Sequence, residues 1–188
     1  NYMHVQTIGL SDCIKSVVDR SGWEQRFRKL PHGKGLGLAC SSYLSGAGLP
    51  IYWNKLPHSG VQLKLDRSGG VTVFCGATEV GQGSDDVLVN IVAEILGIDP
   101  FDIRCVTGDT DLTPVDLGSY SSRVTLMMGN AAIQAADRAR DLLAQAVAKK
   151  LEIPKDRLVF SERRAFDAED PGKGVTFQEA VILAEAEF

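Results

Sequence analysis

Residues 61–97 read VQLKLDRSGGVTVFCGATEVGQGSDDVLVNIVAEILG, and this stretch decides the fold. Its first half alternates: Val61, Leu63 and Leu65, a Ser-Gly-Gly turn, then Val71, Val73 and Cys75. That two-residue period is the mark of a hairpin with one buried face. Its second half changes period. Leu88, Ile91, Val92, Ile95 and Leu96 fall at i, i+3, i+4, i+7 and i+8, which predicts a core-facing helix from Asp85 to Leu96, stopped by Gly97. Between strand and helix stands EVGQGSDD, residues 79–86, with two glycines around a glutamine and no lysine or arginine.

A glycine-rich turn entering a helix ordinarily receives a phosphate, because helix-start N–H groups lack partners within the helix. This one fits neither phosphate pattern. Asp86 stands where G-x-G-x-x-G needs its last glycine, and no Gly-Lys-Ser/Thr is present. Asp85 and Asp86 repel a multiply charged phosphate, although they complement the helix dipole. The plain structural reading is Ser84 as helix cap with two dipole-complementing acids. It leaves Gln82 without a role. A carboxamide both donates and accepts, which suits a neutral, heteroatom-rich ligand better than a bare phosphate. Glu79 is near enough to act as a base, though nothing in the sequence marks it as buried or perturbed.

Downstream, Asp99-Pro100 separates the helix from an expected strand, FDIRCVTGDT, and a polar loop follows, GDTDLTPVDLGSYSS. Its three aspartates lack the glycine and the final glutamate of a calcium loop. Its end, GSYSSR, opens a long alanine-rich segment, residues 123–151, expected to be a helix of six or more turns. Gly118 allows a tight backbone, the serines supply hydroxyls, and Arg123 offers a fork that can grip a phosphate; the alternative is a helix cap with a surface arginine. The last part holds a short strand, RLVFSE, a charged turn, DAEDPGKG, and a helix opened by Thr176. Upstream, residues 11–22 carry Ile14, Val17 and Val18 at helical spacing, with Ser11 and Asp12 as candidate caps and Gly22 as the stop; a basic loop then leads to a small-residue strand, LGLACSSYLSGAG. The order hairpin, helix, strand, helix, strand, helix predicts an α+β, two-layer arrangement with a mixed sheet, because a hairpin cannot join an all-parallel sheet.

The composition excludes several classes. At 188 residues with 44% hydrophobic and 23% charged residues, the chain reads as globular, and no apolar run approaches the roughly 20 residues of a membrane helix. A net charge of −4 gives no basic field for nucleic acid. Cys13, Cys40, Cys75 and Cys105 are unclustered and no histidine completes a metal set, so neither a zinc nor an iron–sulfur site is expected; the last three read as buried thiols in strand-like runs. Reduced cysteines point to a cytoplasmic setting. His4, His32 and His58 are isolated from each other, and Arg26, Arg28, Lys29 and Lys34 read as a solvated basic face. The chain begins at Asn1 and stops inside a helical pattern, as expected of a piece of something longer.

Two glycine- and serine-rich helix entrances, each after a strand, would together line an elongated polar cleft. In order and spacing, GATEVGQGSDD, AEILGI, GDT and GSYSSR followed by GNA resemble the large subunit of the molybdenum hydroxylases, the xanthine oxidase family. The likeness spans about a third of the chain. It implies that Gly81, Gln82, Gly83, Ser84 and Asp85 border the metal end of a molybdopterin cytosine dinucleotide. It implies also that Ser119, Tyr120, Ser121, Ser122, Arg123, Val124 and Thr125 contact its pterin and pyrophosphate. Molybdenum is then held by the pterin sulfurs, with no protein metal ligand. No catalytic residue is expected within these residues, because the family glutamate lies in a stretch further downstream.

Residues 1–33 read, on this resemblance, as a linker or crossing segment and 34–188 as the α/β cofactor-binding lobe. The implied partners are the remainder of the large subunit, an iron–sulfur subunit and an FAD subunit; neither nucleic acid nor membrane is among them. Within the family the sequence is most similar to the branch that removes the phenolic hydroxyl of 4-hydroxybenzoyl-CoA, with a low-potential ferredoxin as electron donor. Aldehyde, xanthine, nicotinate or CO chemistry could occupy the same frame. Outside the family stand a plain nucleotide-binding module and a scaffold without ligand.

Overall fold

The computed structural model describes residues 7–41 and 59–188, and the chain divides into two compact units, Asn1–Tyr43 and Leu44–Phe188. In the first, α1 (Leu10–Ser21) ends at Gly22, whose φ of +63° closes the helix as its place in the sequence predicts. The start differs from expectation: Gly9 is the N-cap, and Ser11 and Asp12 lie inside the helix. A single turn, α2 (Trp23–Arg26), follows, with the Trp23 and Phe27 rings stacked at 4.4 Å. Cys40 is exposed and residues 36–41 belong to no strand, so the buried-thiol reading does not hold there. The rest of that expected strand, with His4 and His58, lies outside the described residues.

The second unit begins with the expected hairpin. β1 (Val61–Leu65) and β2 (Val71–Cys75) pair antiparallel, with Leu65 opposite Val71. Side chains alternate across the sheet, so Val71, Val73 and Cys75 are buried while Gln62 and Lys64 face solvent. α3 (Ser84–Leu96) then crosses over, and β3 (Ile103–Thr107) pairs parallel to β2 from Val71–Ile103 to Cys75–Thr107. The sheet is therefore mixed, as expected. Leu88, Val92 and Leu96 of α3 are fully buried; truncating one of these leucines costs about 2–5 kcal/mol.

α4 (Gly129–Leu151) packs along α3. Small residues allow the approach: Ala132 and Ala136 are buried, and a Cβ on Gly129 would lie 3.3 Å from Ile91 Cδ1. The first part of the expected helix is a π turn, Val124–Met128, a form that accommodates an extra residue and concentrates at functional positions.

A second three-stranded sheet follows, where the sequence suggested one strand. β4 (Leu158–Ser161), β5 (Arg164–Asp167) and β6 (Gly174–Thr176) form an antiparallel meander. Its first turn places Glu162 and Arg163 at φ +52° and +59°, the left-handed geometry of a two-residue hairpin loop. Tertiary contacts hold it there: Arg163 N–H donates to the Gly97 carbonyl at 2.8 Å, and its guanidinium meets Asp102 at 2.5 Å. Gly97 is equally constrained, since a Cβ there would lie 2.3 Å from the Phe160 carbonyl carbon. α5 (Phe177–Glu187) opens on a complete capping box of Thr176 and Glu179, and buries Phe177, Ala180 and Val181. Among the described residues no helix is long and apolar enough to cross a membrane.

Candidate functional site

β2 and β3 run parallel, so their carboxyl ends deliver two loops to the same edge of the sheet, the position at which open α/β sheets bind ligands. Loop one is residues 76–83, before α3; loop two is residues 108–123, before the π turn. Their docking depends on Gly76. A Cβ at this residue would fall 2.3 Å from the Pro114 carbonyl oxygen and 2.9 Å from Asp116 Cβ, so only glycine lets the second loop lie against the end of β2.

The loops are then joined through Thr78. The Ser119 hydroxyl accepts from Thr78 N–H at 2.9 Å and donates to the Thr78 carbonyl at 2.7 Å. Gln82 Nε2 donates to that same carbonyl at 3.0 Å. The glutamine corner and the serine corner thus meet at one peptide unit.

In the glutamine corner, Gly81 and Gly83 take φ of +98° and +77°, a conformation that favours glycine. A Cβ on either would meet nothing within 4 Å, so the turn has an open face. Gln82 is exposed, yet its amide is folded onto the turn: Oε1 accepts from Val80 N–H at 2.6 Å, and Nε2 donates to Ser84 Oγ at 2.9 Å as well as to Thr78. Ser84 differs from the expected cap. It is the first residue of α3, buried, with Gly83 as N-cap and no side-chain cap bond.

The anion at this helix start is the protein's own. Glu79 Oε1 accepts from Gly81 N–H at 2.6 Å and Gly83 N–H at 3.1 Å; Oε2 accepts from Asp85 N–H and the Ser84 hydroxyl, both at 3.3 Å. Desolvation opposes the charged form, but the N–H groups of Gly83, Asp85 and Gly81 and the Ser84 hydroxyl outweigh it and hold the carboxyl pKa down to about 2. Glu79 is therefore a poor general base and a good internal counter-charge.

Asp85 goes the other way. Burial, with the Glu79 charge beside it, raises its pKa, against a weak bond from Thr107 Oγ1 at 3.5 Å. Its Oδ1 is buried with no hydrogen-bond partner among the described residues. Nearby, Cys75 is buried and Cys105 half-buried, both free thiols; hydrogen bonding to Cys75 and burial push the Cys105 thiol up.

The serine corner is built around Asp116. Its Oδ1 accepts from Gly118 N–H at 2.8 Å and pairs with Arg123 Nη1 at 2.7 Å, and its Oδ2 accepts from Ser59 Oγ at 2.5 Å. The Arg123 and Asp116 side chains are 5% and 1% exposed. Arg123 also donates to the Gly118 carbonyl and Ser59, and lies over the Tyr120 ring. It is not the surface arginine that the sequence allowed, and its fork grips a carboxylate from its own loop. Ser121 and Ser122 both take φ +56°, two successive left-handed non-glycine residues of the kind that strained functional backbones carry. Ser121 and Val124 are buried, whereas Ser122 and Thr125 are exposed.

The residues marked in the sequence thus lie in the two facing loops or in the first turn of the helix that each loop enters, Ser84 and Asp85 in α3 and Val124 and Thr125 in the π turn. Thr78, Asp116 and Ser59 were not foreseen as parts of it. The described residues contain no group of three or more His, Cys, Asp or Glu that could hold a metal ion. Hydroxyls, amides, an open glycine face and an orphaned carboxylate oxygen suit an organic, heteroatom-rich group.

The family model for the molybdopterin cofactor-binding domain matches residues 15–187. The putative xanthine dehydrogenase molybdenum-binding subunit XdhA of Escherichia coli K12 is 31% identical over 175 residues, covering 85% of this chain and 22% of that protein. Subunit gamma of the 6-hydroxypseudooxynicotine dehydrogenase complex of Paenarthrobacter nicotinovorans is 36% identical over 139 residues, 73% of this chain and 17% of that one. Two solved structures share the fold. A Cu,Mo-CO dehydrogenase superposes with a TM-score of 0.61 and 29% identity, over 66% of this chain and 16% of that chain. Quinoline 2-oxidoreductase from Pseudomonas putida 86 gives 0.62 and 26%, over 70% and 16%. The chain spans about a fifth of the length of the curated relatives it matches.

Proposed function

The chain belongs to the molybdopterin cofactor-binding domain family of the xanthine oxidase type of molybdenum enzyme, and from that premise we propose that its two facing loops form one wall of a molybdopterin site in an oxidoreductase subunit. The Ser119–Thr78 bridge carries this reading, because it sets the glutamine and serine corners side by side. Gly81, Gln82, Gly83, Ser84 and Asp85 border the metal end of the cofactor. Ser119, Tyr120, Ser121, Ser122, Arg123, Val124 and Thr125 serve the pterin and the pyrophosphate of a cytosine dinucleotide form. Within that second set the exposed Ser122 and Thr125 offer side chains, while Arg123 acts through the loop that it ties to Asp116.

Bound cofactor supplies redox chemistry at a molybdenum held by its own sulfurs. This chain's residues bind and orient it; the catalytic glutamate is assigned to the part of the subunit further downstream. The remainder of the large subunit, an iron–sulfur subunit and an FAD subunit complete the enzyme. One relative is itself named as a subunit of a dehydrogenase complex.

As to the reaction, the named relatives are xanthine, 6-hydroxypseudooxynicotine and carbon monoxide dehydrogenases. These favour a molybdenum hydroxylase or dehydrogenase of that range over the reductive dehydroxylation of 4-hydroxybenzoyl-CoA, and with it over ferredoxin as donor. A plain nucleotide module is disfavoured by Glu79, which already occupies the amides that a phosphate would take at this helix start. The test is Gln82→Ala in the full-length subunit, assayed for molybdenum content and turnover. The reading expects a loss of at least tenfold in one or both; two unchanged values would overturn it.

A further inference from the structure

Glu79 does more than close the start of α3. Its Oε2 receives the Ser84 hydroxyl at 3.3 Å, and Ser84 Oγ in turn receives Gln82 Nε2 at 2.9 Å. An ionised carboxylate can only accept. It therefore fixes the direction of the Ser84 O–H, which leaves the serine oxygen as an acceptor facing Gln82. Both Nε2 hydrogens of Gln82 are then directed inward, to Ser84 Oγ and the Thr78 carbonyl, while Oε1 takes Val80 N–H. The amide of Gln82 has one orientation that satisfies all three partners: Val80 N–H and the Thr78 carbonyl set it, and the Ser84 oxygen, turned toward Nε2 by Glu79, reinforces it.

We propose that Glu79 is a positioning residue that, through the Ser84 hydroxyl, locks the Gln82 amide in the orientation that Val80 and Thr78 set, and so secures the end that the turn presents to the bound cofactor. This rests on the reading that Gln82 borders the cofactor, and adds that the orientation is imposed from within the chain. The low pKa of Glu79 keeps the carboxylate ionised throughout the neutral range. Oε1 retains a lone pair beyond the one used by Val80, so the turn offers an acceptor outward. A ligand that needs a donor from Gln82 has to release Nε2 from Thr78, whose carbonyl Ser119 continues to satisfy at 2.7 Å.

The test uses the full-length subunit in its assembled enzyme, with Glu79→Gln, Ser84→Ala and Gln82→Ala. Three readouts are taken: molybdenum content, the Mo(V) electron paramagnetic resonance spectrum, and amide hydrogen exchange of the peptide over residues 79–86 in cofactor-free protein, with α5 as internal control. Glu79→Gln should speed exchange in that peptide about tenfold, leave α5 protected, and shift the Mo(V) spectrum in the direction that Gln82→Ala shifts it. Ser84→Ala keeps Glu79 on the backbone amides, so it should shift the spectrum and leave exchange unchanged. Spectra of Glu79→Gln and Ser84→Ala that match the wild type, beside a shifted Gln82→Ala, would overturn the relay alone. Unchanged spectrum and molybdenum content in Gln82→Ala would overturn the cofactor reading and the relay with it.

Discussion

The Ser119 hydroxyl closes on both backbone groups of Thr78, a residue 41 positions earlier, accepting from the amide and donating to the carbonyl. A single side chain thus does what a rung of sheet does, and it does so where the two loops have left the sheet. The Thr78 carbonyl keeps a second donor in Gln82, whereas the amide relies on Ser119 among the described residues.

Replacing Ser119 by alanine should therefore loosen the junction without unfolding the unit. A net loss of about 1–2 kcal/mol is expected for these two bonds. It should show as a lower urea midpoint of the full-length subunit at unchanged slope, with threonine at the position restoring most of the loss. A midpoint equal to wild type would show that the loops hold together without this bridge.

Asp116 and Arg123 make the opposite kind of contact, an ion pair shut away from water. Removing one partner of such a pair strands the other charge and costs about 3–5 kcal/mol. Asp116→Ala should thus destabilise the subunit by that amount in thermal or urea unfolding, well beyond the effect of Ser119→Ala. Arg123→Lys keeps the charge but loses the fork that reaches Asp116, Gly118 and Ser59 together. It should lower stability as well as molybdenum content. A loss of molybdenum content at full stability would make Arg123 chiefly a ligand of the cofactor.

Glu79 gives a pH signature whose sign is fixed by its depressed pKa. Its contribution is fully present above the ordinary value of 4.5 and is lost as pH falls from there toward about 2. The Tm difference between wild type and Glu79→Gln should accordingly be constant from pH 7 to about 5 and shrink at pH 3. A difference independent of pH across that window would mean that the carboxylate charge is not what holds the turn.

What the sequence disclosed follows from where burial is periodic. The alternation at Val71, Val73 and Cys75 and the helical spacing of Leu88, Val92 and Leu96 are legible because each set fills one side of a core. Thr176 as the opening of the last helix is legible because its cap is local. β5 and β6 are not: they run four and three residues, RAFD and GVT, and the turn from β4 into β5 uses Glu162 and Arg163 in left-handed geometry without a glycine or asparagine to announce it. In the site the sequence marked the open Gly81-Gln82-Gly83 turn. It could not show that Glu79 would fill the helix start, nor that Arg123 would turn inward to Asp116 and Ser59, because those pairings depend on how the loops meet in space.

Asp85 supplies the last prediction. Its Oδ1 is buried without a partner among the described residues, and burial and the Glu79 charge raise its pKa above the ordinary 3.8. A raised carboxyl pKa means that the charged form is the disfavoured one in the folded protein, so ionised Asp85 lowers stability at neutral pH. That penalty disappears as pH falls through the folded value toward the unfolded one. Asp85→Asn removes the charge while keeping the shape, and should raise Tm at pH 7 by on the order of 2 °C. The gain should narrow as the pH falls toward the ordinary value of 3.8, because wild-type Asp85 takes up its own proton above it. A Tm that falls at pH 7 would show that the carboxylate is held by a partner in the folded subunit. A Tm that rises together with a drop in molybdenum content would identify the orphaned oxygen as a group kept for the cofactor at the expense of the fold.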